Sequence, residues 1–255
     1  MAGAIIQGLL RGGACRADEV IAACPDAALL ESLRTSTGVH VTSSNAEAAA
    51  SAPVVMLCVK PGDVPAALEQ AGGALDGKLL VSIAAGVTLL SLKKLAPRAR
   101  VIRAMPNTPA MVGAGATAFA GGEDVTPDDT DTARHIFSCV GSAYPVREEM
   151  LDAVTGLSGS GPAYVCLVVE ALSDGGVAAG LPRKLALELA VQTLAGVAGM
   201  ISSTGEHPAV LREMVTSPGG TTVAGLAELE AAGVRSAFLQ AVLAASGRAR
   251  ELSRQ

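Results

Sequence analysis

Tryptophan is absent from the 255 residues, and the aromatics are only Phe119, Phe137, Phe238, Tyr144 and Tyr164. So few rings argue against a sheet sandwich built on aromatic packing. They also leave almost nothing from which to make stacking platforms for single-stranded nucleic acid. No basic run is longer than Lys93-Lys94, and 19 basic residues stand against 24 acidic ones, a formal net charge of −5. Gripping a phosphate backbone needs a concentrated positive face, so nucleic acid is not expected as a partner. Cys15, Cys24, Cys58, Cys139 and Cys166 are odd in number and lack CxxC spacing, which reads as buried free thiols in a reducing compartment. His40, His135 and His207 are too far apart in sequence to suggest a metal cluster, and no metal is expected. No apolar run reaches the roughly 18 residues that a membrane span requires. The N-terminus lacks the charged head and cleavage site of a signal peptide. A cytoplasmic protein that does not enter the membrane is the expectation.

What is plentiful is small and aliphatic: 50% of the residues are hydrophobic and 29 are glycine, enough for a sizeable core. Residues 1–150 alternate short apolar runs with helical patterns. Strands are expected at Glu19–Cys24, Val39–Thr42, Val54–Val59, Leu79–Ala84 and Arg100–Met105, with weaker ones near Ala116–Ala120 and Ser142–Val146. Runs such as Val54-Val-Met-Leu-Cys-Val59 are apolar throughout, as strands covered on both faces are. Helices are expected between them, at Ala2–Gly12, Asp26–Ser36, Asn45–Ala50, Val64–Gly72, Leu89–Leu95 and Pro127–Val140. This rhythm predicts an α/β, Rossmann-like, doubly wound parallel sheet. Residues 151–255 lose the strand signal. Tyr164, Leu167, Val168, Ala171, Leu172, Gly175, Gly176 and Ala179 recur at helical spacing, Pro182 and Pro208 restart helices, and further helices begin near Thr221 and Gly233. An all-α half of that size, apolar around much of its girth, buries its surface against another copy.

Five loops could carry chemistry, each with a plain structural alternative. Cys58-Val-Lys-Pro61 lies at the carboxyl end of a buried strand, where open α/β sheets bind ligands, or it is a turn stopped by proline. Ser82-Ile-Ala-Ala-Gly-Val-Thr88 permits close backbone approach, or it is a turn with a Thr cap. Arg103-Ala-Met-Pro-Asn-Thr-Pro109 is a stiff polar loop or a kinked crossover. Ser158-Gly-Ser-Gly-Pro162 offers free amides at a helix start, or it is a capped junction. Thr216-Ser-Pro-Gly-Gly-Thr-Thr222 lets backbone amides converge on an oxygen anion such as a small carboxylate, or it is a glycine-rich loop. His207 before Pro208 reads as a turn residue. Asp152, Glu170, Asp174 and the remaining charged groups read as solvated helix surface.

Taken together, Val-Lys-Pro61, Ala-Ala-Gly-Val-Thr88, Met-Pro-Asn-Thr-Pro109, Leu-Ser-Gly-Ser-Gly-Pro-Ala-Tyr164, Asp-Gly-Gly-Val177 with Gly-Leu-Pro182, and Ser-Pro-Gly-Gly-Thr-Thr222 resemble pyrroline-5-carboxylate reductases in order and spacing. The resemblance spans essentially the whole chain. It implies an N-terminal Rossmann domain (1–150) and a C-terminal helical substrate-binding and dimerisation domain (151–255). The implied reaction is reduction of 1-pyrroline-5-carboxylate to L-proline with NADPH or NADH. The implied assembly is a homodimer, commonly built up further to a decamer. Carried over residue by residue, Val59, Lys60 and Pro61 border the cofactor and Ala84, Ala85 and Gly86 line its nicotinamide side. Asn45 lies near the adenosine ribose or 2′-phosphate, and Met105, Asn107 and Thr108 shape the nicotinamide loop. Ser217, Gly219, Gly220 and Thr221 hold the substrate carboxylate, and Thr222, the implied catalytic residue, hydrogen-bonds the ring nitrogen. A hydroxyacid dehydrogenase with a helical second domain would need a lysine there as acid, and no lysine follows Lys184, which sits just after a helix break.

The sequence opens at Met1-Ala-Gly-Ala-Ile-Ile, which resembles the helix after the family's first strand and Gly-x-Gly loop. Roughly ten residues of that pattern are missing, including a strand that is central in the sheet order. A gap between the strands at Glu19–Cys24 and Val54–Val59 is therefore expected, with weak NAD(P)H binding by the chain as it stands. Two readings follow: a longer active protein whose start lies upstream, or a truncated paralogue serving as a non-catalytic oligomer subunit. The complete distal loop favours the first. At the tip of the expected second strand stand Ala23-Cys24-Pro25, with Asp26 one step beyond. The absence of an acid at the tip itself leans toward NADPH, although no arginine follows to meet a 2′-phosphate.

Overall fold

The computed structural model describes residues 1–253. They form two units, one of Met1–Ser160 together with the stretch from Leu243 onward, the other of Gly161–Val242.

In the first unit the strands are β1 (Ile21–Ala23), β2 (His40–Thr42), β3 (Val54–Leu57), β4 (Leu79–Ser82), β5 (Arg100–Met105), β6 (Gly115–Gly121) and β7 (Gly141–Pro145). The helices are α1 (Ala2–Arg11), α2 (Ala27–Thr37), α3 (Asn45–Ser51), α4 (Val64–Ala71), α5 (Leu89–Leu95), α6 (Pro127–Ser138) and the short α7 (Leu151–Val154). Local chemistry sets these bounds. The Asp26 carboxylate accepts the Ala28 and Leu29 amides and starts α2, and Gly38, at φ 74°, stops it. Ser44 caps α3, Thr88 caps α5, and Thr126 with Asp129 forms a capping box on α6.

β3, β4 and β5 pair in parallel, as do β6 and β7. The two faces of the sheet are packed separately, as the alternation of side chains demands. Leu80 and Val101 join Leu68 of α4 and Leu92 of α5 on one side. Leu79, Val81, Ile102 and Ala104 join Ile5 of α1 and Ala133 and Phe137 of α6 on the other. The Phe119 and Phe137 rings meet there with centroids 6.1 Å apart.

The sheet departs from the all-parallel expectation at one place: β6 runs antiparallel to β5. Only residues 106–114 join the two strands, with a 3-10 turn at Thr108–Val112. A parallel return needs a crossover of a dozen or more residues, usually through a helix. The expected gap is present. β1 and β2 form a two-stranded parallel ladder of their own, and β3 is an edge of the five-stranded sheet β3-β4-β5-β6-β7.

The second unit holds α8 (Gly161–Ala178), α9 (Arg183–Thr204), α10 (Pro208–Met214), α11 (Thr221–Ala231) and the start of α12 (Val234–Leu252). α8 packs on α9. A Cβ at Gly176 would stand 3.1 Å from the Ala186 side chain, so a hydrogen there is what lets the two helices approach. Of this unit's residues only Ser173, Ala186, Ala190 and Leu211 are buried. By length and composition α9 is apolar enough to cross a membrane, with a mean hydropathy of 1.5 over its best window. That differs from the expectation drawn from unbroken runs: Gln192 and Thr193 interrupt the run, but surrounding aliphatic residues outweigh them in the average. The end of α12 belongs to the first unit, where the sequence pattern placed all of 151–255 in the helical half.

Candidate functional site

Because β3, β4 and β5 are parallel neighbours, their carboxyl ends share one edge of the sheet. Three of the expected loops leave from that edge. After β3, Val59 is half-buried, Lys60 and Pro61 are exposed, and the Lys60 carbonyl accepts the Asp63 amide (2.9 Å) in a tight turn. After β4, Ala84 is buried and Ala85 exposed, and Gly86 adopts φ 77°, a conformation that favours glycine. After β5 come Met105, then Asn107 and Thr108. The sheet thus brings Val59, Lys60, Pro61, Ala84, Ala85, Gly86, Met105 and Asn107 to one edge.

The Asn107 side chain is committed at both ends. Its Nδ2 donates to the Ser158 carbonyl (3.1 Å), and its Oδ1 accepts the Ala116 amide (2.8 Å). It ties the loop to β6 and to the π-helical turn Thr155–Gly159, and so it shapes the loop's backbone. Gly159 is close behind: a Cβ there would lie 2.6 Å from Met105 Cε.

Asn45 stands apart from that edge, as the first residue of α3 after β2. Its Nδ2 donates to Gln70 Oε1 of α4 (2.7 Å). Ser43 and Ser44 before it are exposed.

Ser217, Gly219, Gly220, Thr221 and Thr222 lie in the second unit, on the turn from α10 into α11. Gly219 has φ 67°, and Gly220 is the N-cap of α11 without any side-chain cap. A Cβ on Gly220 would meet Ser217 Oγ at 2.4 Å. The first amides of an α-helix have no carbonyl partner within it, and here no side chain covers the helix end. Thr221 is exposed and Thr222 half-buried. Amides with unmet hydrogen bonds, the positive end of the helix dipole and two hydroxyls suit a small carboxylate.

Two expectations from sequence need correction. Asp152, read as solvated helix surface, is not solvated: its side chain is 15% exposed and faces that of Arg103, 7% exposed, at 3.7 Å. Arg103 alternates with the core residues Ile102 and Ala104 along β5, so the pleat turns it under α7 rather than into solvent. The thiols, read as buried, are mostly half-buried, and Cys166 on α8 is exposed. Among them, desolvation pushes the Cys58 thiol up to about 11, so it is neutral and unreactive near pH 7.

Known proteins resemble the chain along its whole length. Residues 148–252 match the family described as pyrroline-5-carboxylate reductase dimerisation, and residues 1–86 match NADP oxidoreductase, coenzyme F420-dependent. A pyrroline-5-carboxylate reductase of Synechocystis is 48% identical, covering 100% of this chain and 96% of the relative. A structure of a pyrroline-5-carboxylate reductase from Coxiella burnetii superposes with a TM-score of 0.94 at 36% identity, covering 100% of this chain and 95% of that one. The Plasmodium falciparum pyrroline carboxylate reductase, solved with NADP bound, gives a TM-score of 0.88 at 29% identity over 98% of this chain and 93% of that one. These matches support a nicotinamide cofactor and self-association, and none of them favours the non-catalytic subunit.

Proposed function

The chain belongs to the pyrroline-5-carboxylate reductase family, and on that premise we propose that it reduces 1-pyrroline-5-carboxylate to L-proline, the last step of proline biosynthesis, with NADPH preferred over NADH. The observation that carries the substrate assignment is the mouth of α11, where two adjacent glycines and two threonines replace any capping side chain. Ser217, Gly219, Gly220 and Thr221 grip the carboxylate, largely through backbone amides. Thr222 hydrogen-bonds the ring nitrogen.

The sheet edge fits a nicotinamide dinucleotide. Ala84, Ala85 and Gly86 are small enough for a flat ring to approach their backbone, Lys60 is an exposed cation, and Asn45 follows two exposed serines. When bound, the dinucleotide supplies the hydride. The preference for NADPH is supported by Asp26. NAD sites use a free carboxylate near this point to bind the ribose hydroxyls. Here that carboxylate already accepts two amides, at 2.9 and 3.1 Å.

Adding hydride to a C=N bond requires a carbon made electrophilic by a protonated nitrogen. The chain's own contribution is mainly orientation: it anchors the carboxylate and fixes which face of the ring is presented. The Thr222 hydroxyl favours the protonated imine or relays its proton, so no dedicated acid–base pair is needed. We assign residues 1–150 to dinucleotide binding and 151–255 to substrate binding and dimerisation. The helical half forms a homodimer that builds further to a decamer. Five unpaired thiols suit a cytoplasmic location.

The test is turnover of pyrroline-5-carboxylate with NADPH and with NADH, followed by cofactor absorbance. Removing a hydrogen bond to a group that carries charge costs about tenfold to a hundredfold. Thr222→Val is expected to lower kcat by that factor with the cofactor Kd unchanged. No turnover by the parent chain even at high cofactor concentration, or full kcat in Thr222→Val, sinks the assignment.

A further inference from the structure

One group of charged side chains in the first unit has no place in the proposed chemistry. Arg103, on β5, is 7% exposed and meets two carboxylates from the segment that follows β7. One of its terminal nitrogens donates to Glu148 Oε1 (3.1 Å), and the other lies 3.7 Å from Asp152 Oδ1. The same Glu148 oxygen accepts the amide of Leu89 (2.7 Å), the first residue of α5. Arg103 also donates to Ser253 Oγ (3.4 Å), and that hydroxyl in turn donates to Asp152 Oδ1 (3.1 Å). Ser253 directly follows α12. Its neighbour Leu252 touches the loop after β4, where a Cβ built on Gly86 would stand 3.4 Å from Leu252 Cβ and 3.5 Å from its carbonyl carbon.

These contacts close a ring around the Ala84–Thr88 loop. On one side Glu148 binds the Leu89 amide while Thr88 Oγ1 accepts the Ser91 amide (3.1 Å), so the start of α5 is held by two side chains. On the other side the last turn of α12 lies against Gly86, anchored through Ser253. Arg103 joins the two anchors beneath the sheet edge. The bonds are charge-assisted and largely sheltered from water, the setting in which such bonds hold geometry best.

We propose that Arg103, Glu148 and Ser253 are positioning residues that preorganise the Ala84–Thr88 loop for the nicotinamide cofactor, with the C-terminal turn of α12 as a strap across it. This rests on the reading that the loop lies along the cofactor. None of the three need touch substrate or cofactor. Their effect is to remove the loop's freedom before binding, so that ordering it is not charged against affinity.

The test uses the full chain with Glu148→Ala, Glu148→Gln and Ser253→Ala, and two independent readouts. Hydrogen exchange without ligand reports whether the ring holds the loop. Exchange at Val87 and Leu89 is expected to quicken in Glu148→Ala and, less, in Ser253→Ala. It returns toward the parent rate in Glu148→Gln, whose amide oxygen still accepts from Leu89. Steady-state kinetics report whether the held loop serves the cofactor. The NADPH KM is expected to rise about tenfold in Glu148→Ala and about threefold in Ser253→Ala, with kcat at saturating cofactor and the KM for pyrroline-5-carboxylate within about twofold of the parent. Unchanged exchange in both alanine variants overturns the strap. Faster exchange with an unchanged NADPH KM, or a lower Tm as the sole effect, overturns its link to the cofactor. A parent chain without NADPH-dependent turnover refutes the function itself, while the exchange data still decide whether the ring exists. Ser253→Ala removes only a hydroxyl from a half-buried end, so it remains informative if Glu148→Ala fails to fold.

Discussion

The α/β unit hides its aliphatic side chains, whereas the helical unit displays them. Leu79, Leu80, Val81, Val101 and Ile102 are at most 1% exposed, while Leu167, Leu189 and Leu239 are 64%, 49% and 56% exposed. Composition does not cause the difference, since both units are rich in Leu, Val and Ala. Layering does. A sheet with helices on both faces encloses its own interior, and a helical hairpin cannot. Around α9, Leu185, Leu187, Leu189 and Val191 point in opposite directions in turn, and each is more than 40% exposed. Self-association covers such faces, and the match to a dimerisation family supports self-association. The first unit's stability is therefore expected not to vary with protein concentration, and the second's is expected to rise with it.

Phe137 tests the self-sufficient side of that contrast. It is fully buried between α6 and the sheet, and Phe137→Ala is expected to cost about 4 kcal/mol in denaturant unfolding, at any protein concentration. A loss below about 1 kcal/mol contradicts an enclosed core. Leu189 tests the other side. Leu189→Glu puts a charge on an exposed apolar face of α9, twice over if a symmetric assembly forms there. Association is expected to weaken by about 3 kcal/mol, more than a hundredfold, in sedimentation. An assembly that survives this change places the interface elsewhere than α9.

Much of the first unit is legible in the sequence because its signals are local. Leu89–Leu95 needs only Thr88 in front and an aliphatic pattern behind. The unbroken apolar run at Val54 announces a strand covered on both faces. What escapes is set by distance along the chain. The reversal of β6 depends on the shortness of one connection. The return of α12 to the first unit has no local signal, and with it goes the Ser253 contact. Arg103 sits in a motif that the sequence marks, yet its burial depends on Glu148 and Asp152, which are remote in sequence and read as surface. For the candidate site, the residue types at the sheet edge and at the start of α11 are visible beforehand. That Asn107 is consumed in holding its own loop is not.

A smaller effect separates two ways of stabilising the first unit, by packing and by charge. Arg100 donates to both oxygens of Asp129, at 2.7 and 3.0 Å, and Thr126 adds its amide and hydroxyl. The guanidinium is the main cause that holds this carboxyl down at about 2, against an ordinary 3.8. A depressed carboxyl stabilises the folded state fully above its unfolded value, and the gain is lost as pH falls from about 4 toward 2. The shift corresponds to about 2 kcal/mol. Asp129→Asn is expected to be less stable than the parent at neutral pH and equal to it near the acid end. A constant gap across that range contradicts the charge pairing.

Within the first unit the same contrast recurs on a smaller scale. All four residues of β4 are buried between β3 and β5, whereas β1 and β2 pair only with each other, and each of their residues is half-buried or exposed. An isolated pair of strands is marginal in water, and here α2 and α3 pack against it. Amides in β1 and β2 are therefore expected to open locally and exchange about a hundredfold faster than those of Leu80 and Val81, with no change in any unfolding midpoint. NADPH sharpens the comparison. If Asn45 lies beside the adenosine ribose, saturating cofactor slows exchange in β1–β2 more than in β4. Equal protection of the two ladders without ligand would mean that the unjoined edges of β1 and β3 cost the fold nothing. Unequal protection that cofactor leaves untouched would remove Asn45 from the binding site.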